Sequence, residues 1–254
     1  MKAACAALPS ALIAAVLAPA ALGGVTITAN NSQIQASAFA SEGSPFGFDL
    51  DGPKDLSFDA TGIPTSFGDT LTATASAGGS SADFSATLGV DVSQAGPVVT
   101  FDMDLNYTTS QTASAGPASD DFDSANAEGA AVIEFVFDLD MDYNYTFNAP
   151  GAQANGTPEL EFRLDVIPGG QSFESKLQNQ TADVSHSGFL PAGTGYKLVI
   201  NVDDSDNLGS VDGASATGLA DFEEALFVLT PVPEPASLAM LGLGGLALAR
   251  RRRG

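Results

Sequence analysis

The stretch IEFVFDLDMDYNYTF, residues 133–147, decides the fold. Ile133, Phe135, Phe137, Leu139, Met141, Tyr143, Tyr145 and Phe147 take every second position, and Glu134, Asp138, Asp140, Asp142 and Asn144 stand between them. Successive side chains of an extended chain point to opposite faces, so this is β-structure with one buried side and one wet side. A run of 15 residues is long for a single strand, which predicts a bulge or bend within it.

The same period governs VVTFDMDLNY at 98–107, where Val99, Phe101, Met103, Leu105 and Tyr107 oppose Thr100, Asp102, Asp104 and Asn106. Residues 101–108 echo residues 137–146, so the two runs are expected to be neighbouring strands with their aspartate rows aligned. Shorter alternating runs occupy 84–92, 160–166 and 196–202, each bounded by Gly, Pro, Asp or Ser. Residues 225–229 are apolar on both sides, the pattern of a strand in mid-sheet or covered on both faces. The small-residue stretches 73–82 and 109–129 read as a turn and a long exposed loop. No body segment has a helical period. The expected fold is all-β, an antiparallel β-sandwich of jelly-roll type, flanked by an N-terminal signal peptide and a C-terminal hydrophobic helix. A barrel or β-solenoid is the alternative, and the lack of a fixed repeat counts against the solenoid.

The chain divides into a signal peptide (1–23), an acidic sandwich domain (24–230) and a terminal segment (231–254) made of a proline-flanked motif, a hydrophobic helix and an Arg-rich end. At the start, Lys2 precedes an apolar run at 11–17 and small residues around Ala18, Ala20 and Gly23, the order of a secretory leader cut near Ala20 or Gly23. The single cysteine, Cys5, leaves with that leader, so the exported body is expected to hold no disulfide or thiolate metal site. Five of the nine basic residues sit in the two termini. Lys54, Arg163, Lys176 and Lys197 remain in the body against thirty of the 31 acids, a net of −26. A body so acidic repels nucleic-acid phosphates and anionic lipid head groups, leaving cations, neutral glycans and basic proteins as partners.

The other end runs Pro233-Glu234-Pro235, then an apolar stretch at 236–249, then Arg250, Arg251, Arg252 and Arg253. As a helix, 14 residues reach about 21 Å, short of a hydrocarbon core of about 30 Å. Gly242, Gly244 and Gly245 weaken that helix further, and the arginines hold the end on the cytoplasmic side. Physically this is a transient stop in the membrane with the body outside.

The terminal VPEPASLAMLGLGGLALARRRR is similar, nearly position for position, to the C-terminal signal of PEP-CTERM proteins. The resemblance covers about the last 23 residues and implies recognition and removal of the tail by an exosortase, a membrane cysteine protease. It assigns Pro233, Glu234 and Pro235 as the sorting motif and Arg250, Arg251, Arg252 and Arg253 as the topological stop. It implies export through the inner membrane, with the helix as the membrane contact before processing. The destination it implies is the cell surface or extracellular matrix of a Gram-negative-type bacterium, among exopolysaccharide. Leu-Pro-x-Thr-Gly, which a sortase signal needs, is absent.

Chemistry in the body is sparse. His186 is the only histidine and reads as a turn residue, with no cysteine to form a nucleophile pair and too few imidazoles for zinc. Without tryptophan and with four tyrosines, a sugar-stacking platform is thin. Calcium is the metal best suited to the chain, with Asp203, Asp204 and Asp206 as candidate ligands on a loop after a strand. That loop lacks the glycine and glutamate of an EF-hand, and a solvated acidic face is the preferred reading of it. The expected protein is therefore not an enzyme and carries no resident cofactor. The alternative is a secreted carbohydrate-binding module or carbohydrate-active enzyme on the same scaffold, whose paired carboxylates would be hidden among the acids.

Overall fold

The computed structural model describes residues 20–22, 24–44, 47–61, 66–113, 124–204 and 213–233. Along the chain lie β1 (Ala20–Leu22), β2 (Val25–Ser44), β3 (Gly47–Thr61), β4 (Ser66–Ala77), β5 (Ser80–Ala95), β6 (Val98–Thr112) and β7 (Ser124–Leu139). They are followed by β8 (Tyr143–Asn155), β9 (Glu159–Ile167), β10 (Gln171–Leu177), β11 (Gln180–Leu190), β12 (Gly195–Asp204) and β13 (Ser215–Pro231). The described residues contain no helix.

The strands form two antiparallel sheets packed face to face. The first has seven strands in the order β1-β2-β7-β12-β9-β10, with β3 also paired to β2. The second has six in the order β11-β8-β13-β6-β5-β4. The chain changes sheet repeatedly, between β3 and β4, β6 and β7, β7 and β8, β8 and β9, and at each step from β10 to β13. Such stepping is the jelly-roll habit, and it follows from burying one face of every strand against the opposite sheet.

The core lies between the sheets. Phe101 of the second sheet meets Phe135 and Phe137 of the first at ring separations of 5.2 and 5.9 Å. Phe227 adds contacts to Phe101 and Phe137 at 5.7 and 6.0 Å. A second aromatic cluster joins Phe162 to Phe147 and Phe222 at 5.3 and 5.6 Å. Where β2 packs on β4, the filling is alanine instead: Ala36, Ala38 and Ala40, with Ala73, Ala75 and Ala77, are all buried.

The run at 133–147 is two strands, not one bent strand. Its first half closes β7 in the first sheet and its second half opens β8 in the second, with a corner at Asp140, Met141 and Asp142. Inward parity survives the crossing: Leu139 and Tyr143 are buried, and Met141 between them is exposed. Backbone bonds fix the corner, from Asp140 N to Gly24 O at 3.0 Å, Gly193 N to Leu139 O at 2.9 Å and Val232 N to Asp142 O at 2.8 Å. The Asp142 carboxylate also accepts from Ala192 N at 2.8 Å.

Three further expectations are corrected. The echoing runs are not neighbours, because β6 pairs with β5 and β13, and β13 separates it from β8. Asp102 and Asp104 consequently lie on the outer face of one sheet and Asp138 on that of the other. The long loop shrinks at both ends, since β6 continues to Thr112 and β7 begins at Ser124. The turn expected at 73–82 is a tight hairpin at Gly78 and Gly79, flanked by the ends of β4 and β5. Residues 225–229 do sit mid-sheet, in a strand flanked on both sides.

Candidate functional site

The sorting motif starts where the central strand of the second sheet ends. β13 is hydrogen-bonded between β8 and β6, with Pro231 level with Tyr143 and Leu229 level with Val99. The last anchored residue is Val232, through its bond to Asp142 O. Pro233 follows at once and is exposed. Its ring lacks an amide hydrogen, so it cannot extend the ladder, and the motif itself marks the edge of the folded body. Glu234, Pro235, Arg250, Arg251, Arg252 and Arg253 lie outside the described residues, as do residues 1–19, where the leader is expected. Ala20–Leu22, inside the stretch expected to be a leader, pair with the start of β2.

A second feature is an acidic trough of about 640 Å³ on the outer face of the six-stranded sheet. Four strands supply it: Gly68 on β4, Gly89 and Asp91 on β5, Asp102 and Asp104 on β6, and Glu223 and Glu224 on β13. Two local devices create it. Gly89 has no side chain, and the Asp104 carboxylate occupies the space a Cβ there would fill. A bulge between Phe222 and Ala225 turns both Glu223 and Glu224 outward. Burial, followed by the neighbouring Asp102 and Asp91 charges, pushes the Asp104 carboxyl above its usual range. Like charges held together disfavour the ionised form of Asp104.

The native state therefore holds the Asp104 proton to higher pH than the unfolded chain does. The resulting penalty is absent below the unfolded value of 3.8 and grows as pH rises through the folded value. Asp104→Asn is expected to raise the melting temperature at pH 7 by about 1–3 °C. That gain should close as the pH is lowered toward 4, and an equal gain at both pH values in thermal unfolding would contradict the assignment.

Of the calcium candidates, Asp203 and Asp204 do not converge. Asp203 is exposed, whereas Asp204 is buried at 2% exposure and accepts from Tyr107 Oη at 3.3 Å and Thr109 Oγ1 at 3.0 Å. Adjacent strand residues face opposite ways, so Asp204 ties one sheet to the other from inside while Asp203 faces solvent. Asp206 lies outside the described residues. Among the described residues no group of three or more His, Cys, Asp or Glu is arranged to hold a metal.

His186 is not in a turn but in the middle of β11. Its ring stacks on Phe173 at 4.4 Å, and Nε2 lies 2.8 Å from Ser175 Oγ. Ser175 is on β10, so the pair joins the two edge strands and closes one open side of the sandwich. Sequence reasoning missed this because strand order, not spacing, brings the two residues together. The basic side chains of this region are spent on ion pairs, Arg163 with Glu161 and Asp165 at 2.8 and 3.0 Å and Lys176 with Glu159 at 3.0 Å.

Fold and exit point together define an antiparallel β-sandwich whose central C-terminal strand leads straight into a processing signal. Residues 231–253 match the PEP-CTERM protein-sorting motif. The protein is thus an exosortase-targeted exported protein, with an exosortase as its processing partner and a location beyond the cytoplasmic membrane. The match covers this terminal stretch and not the sandwich. No curated protein matches the chain.

Proposed function

We propose that this is a non-enzymatic surface or matrix protein, trimmed by its exosortase during export and then held among exopolysaccharide. The observation that carries the reading is the abrupt junction at Val232 and Pro233, where the last ladder bond and the sorting motif are consecutive residues. Cutting at that junction delivers the entire sandwich and leaves almost no stalk on it. The acidic body supports delivery away from the membrane, since it is repelled by anionic lipid.

Fractionation of a biofilm from the producing strain tests the destination. The trimmed protein is expected to sediment with the polysaccharide and to move to the free medium in a strain unable to make it. Equal amounts in the free medium of both strains would remove the matrix role while leaving the processing intact.

A further inference from the structure

Both ends of the folded body open at one pole of the sandwich. At the N-terminal side, Gly24 O accepts the Asp140 amide; at the C-terminal side, Val232 donates to Asp142 O. A three-residue corner thus receives the first and the last residues of the body. Gly24 has φ +99°, and a Cβ there would fall on the Asp140 carboxylate and within 2.8 Å of Tyr143 Oη, so no other residue fits that entry.

The same pole carries three exposed large apolar side chains: Met141 at 37%, Ile167 at 40% and Phe189 at 54%. Register puts them there. Ile167 is level with Gly195, which is level with Asp138, three residues before the corner's centre. Phe189 is level with Asn144, one residue into β8. Asp138 and Asp140 are exposed beside them, so the pole is apolar and acidic at once.

The covalent chain limits how far this pole stands from the tail. From Val232, the last anchored residue, to Ala236, the first of the apolar stretch, there are four peptide steps, at most about 14 Å. An enzyme that grips Pro233, Glu234 and Pro235 must therefore meet the pole in the same encounter. We propose that this pole, through Met141, Ile167 and Phe189, is a docking surface for the exosortase, against a patch bearing apolar and cationic groups. The acids argue for a protein surface over anionic lipid, which they would repel. The inference rests on the exosortase reading of the tail and adds a second contact region, remote in sequence from the motif.

The test is a pulse-chase in the producing strain, following conversion of the untrimmed to the trimmed form. Met141→Ser combined with Phe189→Ser removes exposed side chains and is expected to leave the melting temperature unchanged. Trimming should slow about ten-fold, the effect of losing one well-packed apolar anchor. A matching pair of exposed substitutions outside this pole, Thr72→Ser with Asp83→Ser, should leave the rate as it was. Trimming of the pole variant at the parental rate overturns docking while sparing the processing claim. A parental chain that keeps its arginines in enzyme-bearing cells overturns both. If, in a strain lacking the enzyme, the pole substitutions release untrimmed protein from membranes, the surface contacts lipid and the exosortase assignment is overturned.

Discussion

Phe101→Ala is expected to destabilise the sandwich by about 3–5 kcal/mol, the cost of removing a fully buried aromatic ring and leaving a cavity. Phe101 has no exposed surface and stands at the meeting of the sheets, against Phe135, Phe137 and Phe227. Close neighbours on both sheets leave little room for collapse into the gap. Total stabilities of natural domains are about 5–15 kcal/mol, so this one change removes a large share. Melting should fall by about 10 °C or more in thermal unfolding. Phe189→Ala serves as the comparison, because that ring is already 54% exposed and its loss should cost less than about 0.5 kcal/mol. Equal effects of the two changes would show that the rings at 101, 135 and 137 do not form the joint between the sheets.

Replacing Pro233, Glu234 and Pro235 together by alanine is expected to abolish trimming while leaving the fold untouched. The last backbone bond of the body belongs to Val232, and Pro233 is exposed beyond it, so nothing in the described core depends on the motif. Immunoblotting against both ends of the chain should show full-length protein in place of the trimmed form. The melting temperature of the purified variant should match the parent. Continued trimming at the parental rate would place recognition elsewhere in the chain.

The two-residue period at 98–107 and 133–147 revealed the all-β class, and residues 225–229 revealed a central strand. The sheet change at 140–142 left no such mark, because Leu139, Met141 and Tyr143 keep the alternation while the chain turns between layers. A corner that preserves parity looks like continuous strand. The strands holding Ala36, Ala38, Ala73 and Ala75 leave little mark in the sequence for another reason: alanine alternating with serine and threonine gives almost no hydropathy contrast, although those alanines are fully part of the core. Physically, small side chains serve where β2 packs on β4, and small side chains resemble loop composition.

The sorting end was legible because its parts are contiguous in sequence and each has its own physics: a backbone that cannot pair, an apolar run and a cluster of positive charge. The acidic trough was not legible, since Gly89, Asp104, Glu223 and Glu224 meet only through the order β13-β6-β5. The pairing of Ser175 with His186 was hidden for the same reason. Aspartates 203 and 204 illustrate the converse: adjacency in sequence suggested a shared site, and the strand pleat sends one into the core and the other to water.

The central claim is that the chain after the sandwich is a removable address beginning where the last strand ends. Intact-mass measurement of the exported protein from the producing organism tests it directly. The account predicts one mature species that retains β13 and lacks the apolar stretch and the four arginines. A mature species still carrying Arg250, Arg251, Arg252 and Arg253 would contradict it.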